Sequence, residues 1–543
     1  MASPSLRSDV ANDSQILSDE KSEQIYEKGQ DTDLESRNEY QNAQGVDLEK
    51  GAQNNTGSTH SDERTLSGEH THPQEQPDPN VVDWDGPDDP ENPQNWPESK
   101  KWGMIGALAA VTLVTPLASS FFAPGVPQVM ETFDETSNLI ASFVVSVYIL
   151  GFAIGPLMIG PMSEMYGRML VYHSCNALFV VLTVACAVSN SMGMLIAFRF
   201  LAGCAGAAPL TIGGGTIADI FPREKRAAAT AIWSMGPLMG PVLGPVCGGF
   251  LVEAKGWRWV FWIITIFAGF FAILLLFIGK ESYAPTLLER KAARLRKETG
   301  NPNLRSKMAS GLPPKEIFLR AIVRPMKMLM FQPIVTLMSL YVALNYGVLY
   351  LLFTTMTFVF EDQYHFSSGA VGLAYIGIGI GMFMGMILVG TISDRVIKKH
   401  QAKGNTKPEH RLPFIITLPG GIALPIGIFI YGWTAHYKVH WIAPIIGTSF
   451  VGLGNLTSMM TIQTYLIDAY HINAASALAA NTFLRSVFGG VLPLAGLSMY
   501  DSLGLGWGNS LLGFVSLALI PVPILFRLYG ERIRTHPKFQ VVF

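Results

Sequence analysis

Charge is scarce in this sequence. Of its 543 residues only 15% are Asp, Glu, Lys or Arg, whereas 49% are hydrophobic, and mean hydropathy is +0.30. An ordinary soluble protein carries roughly a quarter charged residues, so a water-soluble globular fold is excluded for most of the chain. Cysteine is nearly absent. Cys175, Cys186, Cys204 and Cys247 all lie in apolar stretches, with neither metal-ligand nor redox spacing, and read as small hydrophobes in helices. No metal site is expected. Also missing are a G-x-x-x-x-G-K-[ST] loop to cradle phosphates, an H-E-x-x-H pair and a G-x-S-x-G turn. Their absence argues against an ATP-driven pump or a membrane hydrolase, so neither enzymatic activity nor a cofactor or nucleotide is expected.

The charge that is present is lopsided. Residues 1–99 hold 23 of the 41 acidic residues and six of the 39 basic ones. Residues 1–81 are rich in Asp, Glu, Ser, Asn and Gln and nearly free of aromatics, a composition that cannot bury enough surface to offset chain entropy. They read as a disordered acidic tail. The start of the chain is polar, so insertion is expected to rely on the first spanning helix. Residues 82–103, which include VDWDGPDDPENPQNWPESKKW, combine turn formers with Trp96 and Trp102 and read as an ordered strap leading to the membrane.

Beyond the strap run apolar segments of about the 20 residues a helix needs to cross a bilayer. They are placed at 104–124, 138–161, 170–190, 193–217, 227–251 and 258–279, then at 331–359, 368–391, 413–433, 441–465, 474–497 and 507–528. The pattern is a six-helix bundle (104–279), a loop (280–330), a second six-helix bundle (331–528) and a short tail (529–543). The fold expected is an all-α membrane protein with twelve transmembrane helices. Lys and Arg gather in the loops after spans 2, 4, 6, 8 and 12, which places both termini in the cytoplasm. The basic run 283–297 (YAPTLLERKAARLRK) is expected to lie along the cytoplasmic leaflet as an amphipathic helix. A nucleic-acid role for this charge is not expected beside twelve spans.

The halves echo each other. GPMSEMYGR (160–168) closes span 2 and GTISDRVIKK (390–399) closes span 8, each with Gly, a Ser three on and an acid four on, Glu164 and Asp394. Asp219 and Asp468 end spans 4 and 10, each followed by an Ala-rich run. Two six-helix units in parallel repeat, with the site between them, is one plan for carriers.

Three motifs carry chemistry. Glu164 and Arg168 are expected at the cytoplasmic mouth, pairing with each other or with Asp219. Such a cluster could latch the halves and release on protonation. In LIAFRFLAGCAGAA (195–208), Arg199 is an intramembrane charge, expected to face the bundle interior; the competing reading is snorkelling to the interface. In GPVLGPVCGG (240–249), Gly240, Gly244, Gly248 and Gly249 are expected on one face, with Pro241 and Pro245 interrupting the helical ladder, giving a bent helix that packs closely on a neighbour.

These three motifs resemble those of the major facilitator superfamily, with Glu164 where the family usually has Asp, Arg199 matching an Arg implicated in proton coupling, and GPVLGPVCGG matching a helix-5 antiporter mark. With the strap and the run after span 6, the chain resembles the fungal twelve-spanner drug:proton antiporters. The resemblance implies a major facilitator fold and proton-coupled export of small amphipathic or aromatic molecules, with Glu164, Arg168, Arg199, Asp219 and Asp394 in coupling and gating. It further implies a monomer in the plasma membrane. A narrow-substrate carrier of organic acids, polyamines, sugars or vitamins is the alternative. In this superfamily a central cavity lies among helices 1, 4, 7 and 10; the matching spans, with span 11, offer Phe121, Phe122, Tyr341, Asn345, Tyr346, Asn455, Gln463, Asn481 and Arg485.

Overall fold

The computed structural model describes residues 79–222, 225–308, 313–401 and 407–536. Expectations for residues 1–78 and 537–543 lie outside them. Apart from one pair of two-residue strands, the regular structure among the described residues is helical.

Eleven helical segments are long and apolar enough to cross a membrane. The last, Ala474–Thr535, is 62 residues long, about three times what one crossing needs. Gly504 within it adopts φ 72° and ψ 166°, a conformation that glycine takes without steric penalty. The segment is therefore two spans, and the chain crosses twelve times. Spans 1 to 6 are Glu98–Thr132, Asn138–Tyr166, Arg168–Ala187, Met192–Ile220, Arg226–Lys255 and Arg258–Ile278; spans 7 to 10 are Pro333–Tyr364, Ser368–His400, Phe414–His436 and Ile442–Tyr470; spans 11 and 12 flank Gly504. Most run several residues past the purely apolar stretches, because helices continue through flanking polar residues once started. Pro116, Pro156, Pro161, Pro419 and Pro425 sit inside spans, where neighbouring helices can compensate for the lost backbone donor.

The packing repeats between halves. In the first, span 1 packs on span 5, span 2 on span 4, and span 3 on span 6. In the second, span 7 packs on 11, span 8 on 10, and span 9 on 12. The halves meet through span 2 against 11 and span 5 against 8, which are equivalent contacts under the same repeat. Span 6 is outermost: only 17% of its apolar window is buried within the protein, and Phe267, Phe270, Ile273 and Phe277 are exposed, as a lipid-facing helix requires.

Strap and central loop lie on one face, hereafter the loop face. Val81–Val82 pairs in parallel with Arg305–Ser306. Leu288, Lys291 and Ala292 of the helix Ala284–Thr299 are buried. Lys291 Nζ donates to Asp85 at 2.6 Å, to the Asp83 carbonyl at 3.1 Å and to Asp89 at 3.4 Å. Lys307 pairs with Asp83 at 2.6 Å and Arg294 with Glu91 at 3.3 Å. Burial alone would lower the Lys291 pKa, but the hydrogen bond to Asp85 and the charges of Asp85 and Asp89 outweigh it and raise it. Burial likewise pushes Asp89 up, but the Asp85 and Glu91 N–H groups and Lys291 hold it below its ordinary value. The strap's own carboxylates thus pair with Lys291 and Arg294 of this basic helix.

Candidate functional site

On the loop face, Gly167 (φ 94°) ends span 2 and lets Arg168 start span 3 at once. Arg168 Nε donates to Asp219 Oδ2 at 3.1 Å and Nη1 to Ser163 Oγ at 2.8 Å, and its guanidinium lies 4.4 Å from the Tyr283 ring centroid. Of the two pairings left open for Arg168, Asp219 is the one formed. Glu164 is exposed and has no ion-pair partner among the described residues. Among the described residues the ion pair of this cluster, Arg168 with Asp219, stays within the first half and does not reach the second. Asp394 lies on the span 8 helix, but its side chain is outside the described residues.

Two features were missed from sequence, one in each half. Glu281, just past span 6, accepts from the backbone N–H groups of Arg168 and Met169 at 2.9 and 3.1 Å, satisfying the first donors of span 3 with an anion where the helix dipole favours one. A Cβ on Gly167 would lie 2.5 Å from Glu281 Oε2, which explains the glycine. The acid at 281 was visible, but the 113 positions to Arg168 hid its role. In the second half, Arg411 pairs with Asp468 at 2.6 Å and Lys407 with Glu531 at 2.8 Å. GTISDRVIKK lacks the Gly-Arg pair that ends GPMSEMYGR, and the arginine that pairs with the acid of span 10 is Arg411, just before span 9.

Arg199 is 1% exposed, in the middle of the first half, which rules out snorkelling. Nε donates to the Val144 carbonyl at 2.6 Å, and Nη2 reaches the carbonyls of Ser119 and Val145, both at 3.4 Å. The rings of Phe122, Tyr148 and Phe261 lie 4.7, 5.5 and 5.7 Å from the guanidinium. Carbonyl dipoles and π faces stabilise this charge without a carboxylate.

In span 5, a Cβ on Gly240 would lie 2.7 Å from Leu117 N, and one on Gly244 or Gly248 would collide with Ser120 Oγ or the Phe121 carbonyl. Gly249 instead meets Ser368 and Gly372 of span 8. The single-face expectation is corrected: three glycines admit span 1 and the fourth admits the other half, because nine positions at 100° per residue turn the helix by half a revolution. Pro241 and Pro245 lie inside this helix, and the Pro241 carbonyl accepts from Ser120 Oγ at 3.4 Å.

The expected cavity residues divide. Phe121 and Phe122 are buried against spans 5 and 6; Phe122 packs on Trp257 and Phe261. They are core of the first half and not cavity lining. Tyr341 bonds Ser458 at 3.2 Å and lines a small void inside the second half. Asn455 Nδ2 donates to the Asn345 carbonyl at 2.8 Å, tying span 10 to span 7. Gln463 is half-buried. Tyr346 and Arg485 do come together, 4.8 Å apart, with buried Asn481 one turn before Arg485.

Away from the loop face the halves are sealed. Ser119 Oγ and Tyr350 OH lie 3.1 Å apart, Thr357 Oγ1 donates to the Ala123 carbonyl at 3.3 Å, Asn138 donates to Asp501 at 2.7 Å, and Glu253 accepts from Gly369 N at 2.9 Å. Loop-face ion pairs among the described residues stay within one half or join strap to loop. The protein is closed on the far side.

A family model, Major Facilitator Superfamily, matches residues 108–493. The chain belongs to the Major Facilitator Superfamily. It is 58% identical over 467 residues to the MFS-type transporter penM of Penicillium rubens, covering 86% of this chain and 92% of the relative. Over 471 residues it is 52% identical to the efflux pump radE of Floropilus chiversii, covering 86% and 87%. Among solved structures it resembles a D-xylose–proton symporter (TM-score 0.58, 16% identity, 81% of this chain and 99% of the other) and a bacterial homolog of the human lysosomal transporter Spinster (0.56, 16%, 82% and 98%). At such identities the likeness carries the fold alone. As a facilitator the chain is a multi-pass membrane transporter and not an enzyme.

Proposed function

We propose that this facilitator exports small amphipathic or aromatic molecules by proton antiport and alternating access, with the loop face in the cytoplasm. The observation that carries the reading is span 5. Its glycines bring it against span 1 on one side and span 8 on the other, making a close-packed seam that seals the far face. A carrier sealed there and, among the described residues, joined by no ion pair between halves at the loop face loads from the cytoplasm. The relatives named as efflux pump and transporter support the same direction. Proton coupling is assigned to Asp219 and Glu164 at the cytoplasmic mouth, gated with Arg168 and Asp394, with Arg199 linking span 4 to spans 1 and 2. The protein acts as a monomer in the plasma membrane.

The test is efflux of an amphipathic fluorescent dye from cells expressing the protein, with and without protonophore, beside Asp219→Asn, Glu164→Gln and Arg199→Ala at matched surface levels. Dye exclusion that collapses with protonophore, and in the Asp219 and Arg199 variants, is expected. Exclusion insensitive to protonophore would refute antiport. No exclusion by a well-expressed wild type would favour a narrow-substrate carrier.

A further inference from the structure

Two arginines lie deep in the spans, and their surroundings differ. Arg199 has three carbonyls and three ring faces around it; its charge is permanently accommodated. Arg485 is not. Its Nε is buried without an acceptor, and its Nη1 has only the thioether sulfur of Met459 at 3.3 Å, a weak acceptor. No carboxylate pairs with it among the described residues. One turn earlier on the same helix face, Asn481 is 1% exposed and neither of its amide atoms has a partner. Unmet donors in a membrane interior are costly, and here they are concentrated within one turn of span 11.

The arrangement is shaped as well as unsatisfied. Tyr346 of span 7 covers one face of the guanidinium at 4.8 Å, leaving its edge donors with no partner among the described residues beyond the Met459 sulfur. A Cβ on Gly489 would lie 2.9 Å from the Tyr346 ring and 3.1 Å from Ile149 of span 2, so the glycine lets the ring settle where the two halves meet. A guanidinium held by its face presents a planar fork that matches a carboxylate or similar oxyanion.

We propose that Arg485, with Asn481 beside it and Tyr346 stacked on it, binds the acidic group of an amphipathic organic anion that this protein transports. The missing partner of the arginine is the cargo's own carboxylate or enolate, and Asn481 recognises a neighbouring hydroxyl or amide. This rests on the reading of the protein as an exporter of amphipathic molecules and adds the charge of the cargo.

The test uses purified full-length protein in detergent and a fluorescent aromatic carboxylic acid beside its methyl ester. Binding is read by fluorescence anisotropy, so the result is independent of transport direction and proton coupling, and failure of the export reading would appear only in cells. Wild type is expected to bind the acid at least fivefold more tightly than the ester. In Arg485→Gln that preference should fall to about unity with ester affinity unchanged, and Arg485→Lys should retain part of it. Thermal melting without ligand checks folding; should Arg485→Gln not fold, Asn481→Ala is expected to lower acid affinity severalfold. A wild type that does not prefer the acid, or an Arg485→Gln protein that keeps the wild-type preference, overturns the proposal.

Discussion

Ser119 Oγ of span 1 and Tyr350 OH of span 7 lie 3.1 Å apart, both buried, one from each half of the molecule. The Ser119 carbonyl accepts from Arg199 at 3.4 Å, and the Tyr350 ring leans on Tyr346 at 4.9 Å. A contact that seals the far face therefore touches the buried Arg199 of one half and, through Tyr346, the half-buried Arg485 of the other. Tyr350→Phe removes the hydrogen bond and keeps the ring. A buried neutral hydrogen bond contributes about 0.5–1.5 kcal/mol, so the open-outside population should rise about two- to tenfold. With a cysteine placed at Ala123, 1% exposed and in the seal only through its backbone carbonyl, in a background free of native cysteines, labelling by an impermeant thiol reagent should quicken by that factor. An unchanged rate would show that the bond does not hold the seal.

Span 5 permits a comparison of two alanine substitutions. At Gly248 a Cβ collides with the Phe121 carbonyl, which is backbone and cannot move alone; at Gly269, on lipid-facing span 6, nothing lies within 4 Å. Gly248→Ala is expected to cut transport at least tenfold or prevent folding, whereas Gly269→Ala should be silent or slightly stabilising, since alanine is the better helix former by about 1 kcal/mol. Surface abundance and dye efflux measure both. Equal behaviour of the two variants would show that backbone contact along span 5 is not what matters.

What the sequence made legible follows from which forces are local. Twelve spans are written in unbroken apolar runs, and Arg199 stood out because one charge inside such a run has few tolerable places to go. Faces and partners were harder. Phe121 and Phe122 sit where a cavity wall was expected, but an aromatic beside a span is equally apolar towards core, cavity or lipid, and only packing on Trp257 and Phe261 assigns it to the core. Arg411 was invisible as the counterpart of Arg168 because it sits in the turn Pro408–Arg411 before span 9, outside the GTISDRVIKK motif and 57 positions from Asp468. The strap's grip on Lys291 spans more than 200 positions, and the helix carrying that lysine matched the charge pattern of a lipid-bound helix equally well.

That grip should be insensitive to pH around neutrality. Lys307 holds Asp83 below the usual carboxylate range, and Asp89 is also lowered. A lowered carboxylate stabilises docking above its free pKa, about 4, and the contribution is lost as pH falls through the docked value. Lys291 is raised, so its share disappears only above about 10.5. The docked population, read from the distance between spin labels on cysteines introduced at Asn80 and Asn301, whose side chains are 3.1 Å apart, should be equal from pH 6 to 9. Lys291→Met should reduce it severalfold by leaving Asp89 buried without its cation. A steep change between pH 6 and 8 would mean that other groups govern the strap.

The repeated Arg–Asp pairs of the loop face differ in exposure, and that difference sets their strength. Arg168 and Asp219 are 11% and 17% exposed in their side chains; Arg411 and Asp468 are 24% and 33% exposed. Less water means less screening, and the first pair also has Ser163 and Ser282 as polar neighbours. Double-mutant cycles with Arg→Gln and Asp→Asn, read by thermal melting of the purified protein, should give a coupling of roughly 1–3 kcal/mol for Arg168–Asp219 and below about 1 kcal/mol for Arg411–Asp468. Exchanging the charges within a pair should restore melting better in the second half, where both groups have room to re-seat, than in the first, where Arg168 is fixed by Ser163 and Tyr283. A second-half coupling as large as the first would contradict the ranking by burial and indicate that the short 2.6 Å contact, rather than exclusion of water, sets the energy.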